Sequence, residues 1–168
     1  VLKPSEHAPH ISSLIKILIE KYFRPNIIQV IEGDGNIAAN LMTLKFDHVF
    51  FTGGENIGKK VMEAAAKNLT PITLELGGKS PAIIIDGANL EVTARRIIWG
   101  KSLNAGQTCI APDHLLVEQK LFDPLISNLK KSINSFYGNT PLRSKHLGSI
   151  INQSQFNRLN NLLNQAKN

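Results

Sequence analysis

The sequence predicts an α/β fold with largely parallel strand pairing. Two observations lead there. Short runs rich in β-branched residues alternate along the chain with amphipathic stretches of helical period, and glycine pairs or prolines mark the changeovers. With 42% hydrophobic and 19% charged residues, the 168-residue chain also has the make-up of an ordinary globular protein, long enough to bury a core.

Val1-Leu2 reads as the end of a strand. A helix is predicted from about 9 to 23, where Ile11, Leu14, Ile15, Leu18, Ile19 and Tyr22 keep helical spacing on one face. Pro9 suits its first turn, because the N–H that proline lacks would have no helical partner there. Residues 27–31 (Ile-Ile-Gln-Val-Ile) read as a short buried strand, closed by the turn-rich Glu32-Gly33-Asp34-Gly35. A short helix near 36–42 leads to a strand over 47–52. Gly53-Gly54 ends that strand, and a helix runs on to about 68 before Thr70-Pro71 stops it. Strands follow at 72–76 and at 81–86, the latter with three consecutive isoleucines. A helix, a loop, a strand at 115–117, a helix at 121–136 and a last helix from about 154 complete the pattern. Gly77-Gly78 is the candidate domain boundary, since paired glycines allow a sharp change of direction.

Net charge changes at the same place. Residues 1–76 carry eight basic and eight acidic residues, and 77–168 carry eleven and five, so the whole excess of six lies in the second stretch. Only Arg95-Arg96 and Lys130-Lys131 are adjacent basic pairs there. A nucleic-acid surface needs a denser stripe, so no nucleic-acid partner is expected. Solvated helix faces and attraction for an anionic cofactor account for the charge. No run approaches the roughly 18 apolar residues of a membrane span. The one cysteine, Cys109, excludes an internal disulfide and fits a reducing, cytoplasmic setting. The five histidines are scattered without ligand spacing, so no metal site is expected. The chain opens Val-Leu-Lys-Pro, without Met or a signal pattern, which suggests that residue 1 is not a natural start.

Three stretches carry chemistry. Phe51-Thr52-Gly53-Gly54, between a strand and a helix, outlines a phosphate-binding turn: unpaired helix N–H groups face an anion, and glycines let it approach the backbone. A plain strand-to-helix turn would look the same. Gly53-Gly54-Glu55-Asn56-Ile57-Gly58-Lys59-Lys60 also comes within one position of a P-loop, and Ala82–Asp86 resembles the strand and acid that help hold magnesium. That mechanism requires a Ser or Thr hydroxyl where Lys60 stands, and an ammonium repels the cation. Glu75 is a lone acid between two leucines on a strand that otherwise reads as buried. Burial there would raise its pKa and suit it to base chemistry; a paired or solvated strand-end carboxylate is the alternative. Cys109 lies in a glycine-bearing polar loop, an unusual place for what is otherwise a small buried hydrophobe.

Together these segments bear a resemblance. Leu74-Glu75-Leu76-Gly77-Gly78-Lys79-Ser80-Pro81 and Gly106-Gln107-Thr108-Cys109-Ile110-Ala111-Pro112-Asp113 resemble the two active-site signatures of aldehyde dehydrogenases, and their spacing fits that family. Lys3-Pro4-Ser5-Glu6 looks like its adenosine-ribose segment and Phe51-Thr52-Gly53-Gly54 like its cofactor-phosphate turn. The wording is most similar to the class 3, fatty and aromatic aldehyde, branch. The resemblance implies part of a Rossmann-like NAD(P)-binding domain over 1–76, followed by part of an α/β catalytic domain over 77–168. It implies Cys109 as nucleophile and Glu75 as general base. Lys3 and Glu6 become ribose contacts, and Gly53, Gly54, Glu55, Asn56, Ile57 and Gly58 the pyrophosphate loop. The cofactor is NAD or NADP, with Glu6 favouring NAD through the ribose 2′-hydroxyl. The substrate is an aliphatic or aromatic aldehyde, oxidised through a thioester, and the full-length protein is expected to be a homo-oligomer. Two positions depart from the pattern: Gly54 replaces a usual Ser or Asn, and Ser102 stands where an aromatic residue is common. The family's oxyanion asparagine and its Glu-x-Phe-Gly-Pro segment have no counterpart in the 168 residues. The segment is therefore expected to be an internal piece of the enzyme and inactive alone; a non-catalytic remnant or scaffold of the same fold is the other expectation.

Overall fold

The computed structural model describes residues 1–167. By backbone contacts the chain divides into two compact units, Val1–Leu76 and the stretch from Gly77 onward.

In the first unit, α1 (Pro9–Tyr22) starts with proline in its first turn and no side-chain cap. Its one buried residue is Ser12, whose hydroxyl donates to the carbonyls of Ser5 and Ala8, both at 2.9 Å. Ile15 and Ile19 are half-buried, whereas Ile11, Leu14, Leu18 and Tyr22 are exposed. The short helix α2 (Gly35–Leu41) is capped by Asp34, which accepts from the amides of Asn36 and Ile37. Strand β1 (Val49–Thr52), helix α3 (Glu55–Ala66) and strand β2 (Ile72–Glu75) form a β-α-β unit. The strands are parallel, with Val49 opposite Ile72 and Thr52 opposite Glu75. Parallel neighbours need a crossover, and α3 supplies it.

The strand expected at 27–31 shrinks to one bridge, Leu2 with Val30. Leu2 N–H donates to Gln29 and Ile31 N–H donates back to Leu2, at 2.8 and 2.9 Å. The next rung would require an N–H from Pro4, which has none, so the ladder stops.

The second unit repeats the plan. Strand β3 (Pro81–Ile84) pairs in parallel with β4 (His114–Val117), Pro81 opposite His114 and Ile84 opposite Val117. Helix α4 (Leu90–Ser102) and a 3₁₀ turn (Leu103–Gly106) lie between them. The Asn89 side chain caps α4 by accepting from Val92 N–H at 3.1 Å. Helices α5 (Phe122–Tyr137) and α6 (Gln153–Gln165) follow. The core is Ile84, Ala94 and Leu125, flanked by Leu115, Val117, Ile97 and Leu129. Burial of a leucine such as Leu125 contributes about 1.5–3 kcal/mol. The strand expected to reach 86 stops at Ile84, and only that isoleucine of the three enters the core. Ile83 and Ile85 are 69% and 60% exposed. α4 and α5 are further tied by a hydrogen bond between the hydroxyls of Ser102 and Tyr137. The guanidinium of Arg95 stacks over Phe136, 5.2 Å from the ring centre.

Candidate active site

The turn from β1 into α3 begins at Gly53. A Cβ there would meet the Phe51 ring at 2.5 Å, so the residue must be glycine for that ring to fold over the turn. Its amide donates to the Glu75 carbonyl at 3.0 Å and extends the β1–β2 ladder by one rung. Gly54 is the N-cap of α3 and carries no capping side chain. It has ordinary extended backbone and open space around its Cβ position, so a serine would fit there without displacement. Among the described residues the amides of Glu55 and Asn56 have no acceptor, and with the helix dipole they form an N-terminus suited to a phosphate. Glu55 brings a negative charge to this end, which Lys59 pairs at 2.7 Å. That pairing lowers the Glu55 pKa and raises that of Lys59. Ile57 is exposed, whereas Gly58 is buried on the strand side of α3. A Cβ on Gly58 would sit 2.9 Å from the end of the Leu76 side chain, which would have to give way.

Lys3 is well held. Its ammonium donates to the carbonyls of Gly33 and Pro4, at 2.7 and 2.8 Å, and to the Glu6 carboxylate at 3.3 Å. The Glu6 carboxyl is held below its ordinary pKa, chiefly by its own backbone amide; partial burial opposes this, and Lys3 adds to the lowering. Gly33 is constrained as well: its φ is +150°, and a Cβ would strike Ile37 at 2.5 Å.

Glu75 is the last residue of β2 and its side chain is exposed. The burial that two flanking leucines suggested is absent, because the side chain lies at the strand's end, beyond the half-buried run 72–74.

Cys109 carries an exposed thiol on a tight turn closed by Ala111 N–H donating to the Thr108 carbonyl at 3.1 Å. The turn is fastened to the segment leading into β3. Asp113 N–H donates to the Ser80 carbonyl at 2.8 Å and the Ser80 hydroxyl to the Cys109 carbonyl at 3.4 Å, while Lys79 pairs with the Asp113 carboxylate at 3.5 Å. Gly78 lies directly against the Cys109 carbonyl. No hydrogen bond ends on the Cys109 N–H among the described residues. Upstream, Asn104, Ala105 and Gly106 all have left-handed backbone, with φ of 53°, 55° and 77°. Only glycine adopts this conformation freely, and asparagine tolerates it better than alanine.

The fold therefore joins Gly53 to Glu75, Lys3 to Glu6, and Cys109 to Gly78 and Ser80. Glu75 is the last but one residue of the first unit, and Cys109 belongs to the second. The motifs contain Gln107 without assigning it a task, and Gly78 only as part of the Gly77-Gly78 boundary; its packing against the Cys109 carbonyl is new in the structure. The Gln107 side chain bonds to the carbonyls of Asn104 and Ser149 and to the Ile151 amide. Ser102, which stands where an aromatic residue is common, shares a hydrogen bond with the Tyr137 hydroxyl between two helices.

Comparison with known proteins gives one consistent answer. Residues 1–168 match the sequence profile of the aldehyde dehydrogenase family. The chain is 48% identical over 167 residues to 4,4'-diaponeurosporen-aldehyde dehydrogenase of Staphylococcus aureus, a match covering 99% of this chain and 36% of that protein. It is 45% identical over 167 residues to the mouse (Mus musculus) dimeric NADP-preferring aldehyde dehydrogenase, covering 99% of this chain and 37% of that one. A solved structure of Staphylococcus aureus AldH in a substrate-bound state superposes with a TM-score of 0.84 at 48% identity, covering 98% of this chain and 36% of that one. The chain thus spans little more than a third of the length of these relatives. Four motifs in family order, two parallel β-α-β units and a match along the whole chain carry one conclusion: this chain belongs to the aldehyde dehydrogenase family.

Proposed function

We propose that the complete polypeptide carrying this sequence oxidises aldehydes to carboxylic acids with NAD or NADP, through a covalent intermediate on Cys109. One observation carries the reading. An exposed thiol sits on a turn whose carbonyl is packed against Gly78, and Gly78 follows Glu75 by three residues. Three residues of chain span at most about 11 Å, so connectivity alone keeps the carboxylate's backbone near that turn. The Glu75 carbonyl in turn accepts from Gly53 of the candidate phosphate loop. Residues 1–76 then act as part of the cofactor-binding domain and 77–168 as part of the thiol-bearing domain.

The residues suit a dinucleotide. The open, uncapped N-terminus of α3 offers the Glu55 and Asn56 amides to a phosphate, and nothing fills the space at Gly54. Lys3 and Glu6 would hold the adenosine ribose, Glu6 accepting from its 2′-hydroxyl. When bound, the dinucleotide supplies the hydride acceptor. The chain's own groups do the rest. The Cys109 thiolate attacks the carbonyl carbon and forms a C–S bond. The resulting oxyanion is stabilised by the Cys109 N–H, which points at no protein acceptor. Collapse of this thiohemiacetal expels hydride and leaves a thioester. Glu75 then takes a proton from water, the hydroxide adds to the thioester, and the thiolate leaves as the carboxylic acid departs.

Lys60 stands on α3 where a triphosphate loop needs a hydroxyl, and family membership removes that alternative. A reducing, cytoplasmic setting suits a thiol that must stay free; the substrate is an aliphatic or aromatic aldehyde, and the dimeric mouse relative supports an oligomeric enzyme. Among the described residues no helix is long and apolar enough to cross a membrane.

The test is aldehyde-dependent reduction of NAD or NADP by the full-length polypeptide, with and without Cys109→Ala. Turnover that disappears in the variant while its melting temperature holds supports the reading. Normal turnover without the thiol overturns it.

A further inference from the structure

We propose that Gln107 is a positioning residue for Cys109, which couples the nucleophile's turn to the segment leading into α6. The proposal rests on the reading of Cys109 as the nucleophile.

The Gln107 carboxamide uses both its ends. Its Nε2 donates to the Asn104 carbonyl at 2.8 Å and to the Ser149 carbonyl at 3.2 Å. Its Oε1 accepts from the Ile151 amide at 2.9 Å. The Gln107 backbone N–H donates a second time to Asn104, at 3.2 Å. One half-buried side chain therefore ties its own loop to Ser149 and Ile151, 42 and 44 residues further along the chain.

What it fixes matters more than how many bonds it makes. Asn104 and Ala105 hold left-handed backbone, which is sterically unfavourable for an L-residue. Such a conformation persists only where surrounding contacts over-determine it. The Asn104 carbonyl, whose direction that conformation sets, is the acceptor that Gln107 grips twice. Two residues further on is the thiol. If the grip is released, the upstream backbone relaxes towards ordinary values, and the Thr108–Ala111 turn swings with it. The Cys109 Sγ and N–H then lose their alignment with a bound carbonyl. A group that hydrogen-bonds only to backbone, and never to the reacting atoms, acts through position. Displacements of about 1 Å at a nucleophile cost on the order of 10²-fold in rate.

The experiment uses the full-length polypeptide with Gln107→Met and Gln107→Glu. Methionine conserves length and volume while removing every polar contact. Glutamate keeps an acceptor for Ile151 but turns a carboxylate toward two carbonyl oxygens. We measure kcat, the aldehyde KM, the rate at which iodoacetamide alkylates Cys109, and hydrogen exchange over 104–111 and 149–152. Positioning predicts a kcat lowered by about 10-fold or more in both variants, with KM and alkylation changed by less than about 3-fold. A small reagent still reaches an exposed thiol, whatever its aim. It also predicts faster exchange in both segments together. A Gln107→Met enzyme with wild-type kcat, or faster exchange in 104–111 alone, overturns the proposal. A global loss of stability would lower turnover and melting temperature together and speed exchange throughout the chain, and that result too counts against it. An inactive wild type instead sinks the Cys109 reading, so the two failures are distinct.

Discussion

The Cys109 carbonyl oxygen occupies the place that a side chain on Gly78 would need: a Cβ built there approaches it to 2.7 Å. The neighbour is backbone and cannot swing aside like the tip of a side chain. Gly78→Ala must therefore displace the Cys109 peptide. We expect a loss of about 1–3 kcal/mol in stability, the usual cost of overpacking, with a fall in kcat larger than that loss explains. Thermal melts and steady-state kinetics on the same preparation check this. Wild-type kcat in the alanine variant would show that the close approach has no bearing on the thiol.

Glu75→Gln separates the two halves of the proposed reaction. Attack by Cys109 and hydride loss do not require the carboxylate, but activation of water does. The variant should release a burst of reduced cofactor and then stall, with steady-state turnover down by about 10²–10⁴-fold. Mass spectrometry of the Cys109 peptide should find the acyl group still attached. Failure to trap any acyl-cysteine would move the base to another residue.

Cofactor choice should depend on Glu6. Its carboxylate would repel a 2′-phosphate, so Glu6→Gln is expected to raise NADP use relative to NAD by about 5-fold, the scale of one exposed charge contact. The ratio of kcat/KM values for the two cofactors measures this directly. The same substitution weakens the grip on Lys3. The Glu6 pKa is depressed in the fold, so its ion pair is fully present above the ordinary carboxylate pKa and is lost as pH falls through the lower folded value.

Asp34 makes a similar prediction for α2. Hydrogen bonds from the Ile37 and Asn36 amides hold its carboxyl below the ordinary pKa. The cap therefore contributes at neutral pH and weakens as acid protonates Asp34 below that value. Asp34→Asn should keep the helix and flatten this acid dependence, since asparagine caps as well as aspartate. Asp34→Ala should fray Gly35–Leu41 at every pH. Backbone chemical shifts over these residues distinguish the three proteins, and an α2 unaffected by alanine would refute the cap.

Much of this architecture was legible in the sequence because it is locally encoded. The spacing of apolar residues marked α1, and glycine pairs marked the ends of β1 and β2. The strand at 27–31 was not legible as a single bridge, because the ladder depends on whether Pro4, more than twenty positions away, can donate. The three isoleucines of β3 likewise give no sign of which one faces the core. Within the site, the motifs named Cys109, Glu75 and the Gly53–Gly54 turn. For Glu75 the sequence left a buried base and a solvated strand-end carboxylate both open, and its exposure matches the second, since flanking leucines describe strand faces and not strand ends. Gln107 could not have been assigned a task, because its partners lie at Ser149 and Ile151, and no periodicity connects positions so distant.

The left-handed alanine at position 105 has a consequence for how such an enzyme would age on warming. A bend held only by its neighbours is the first to let go when those neighbours loosen, well before the helices melt. Heated samples should lose turnover while their far-ultraviolet circular dichroism is still intact. Ala105→Gly, which adopts the same bend without steric cost, should close the gap between the two temperatures.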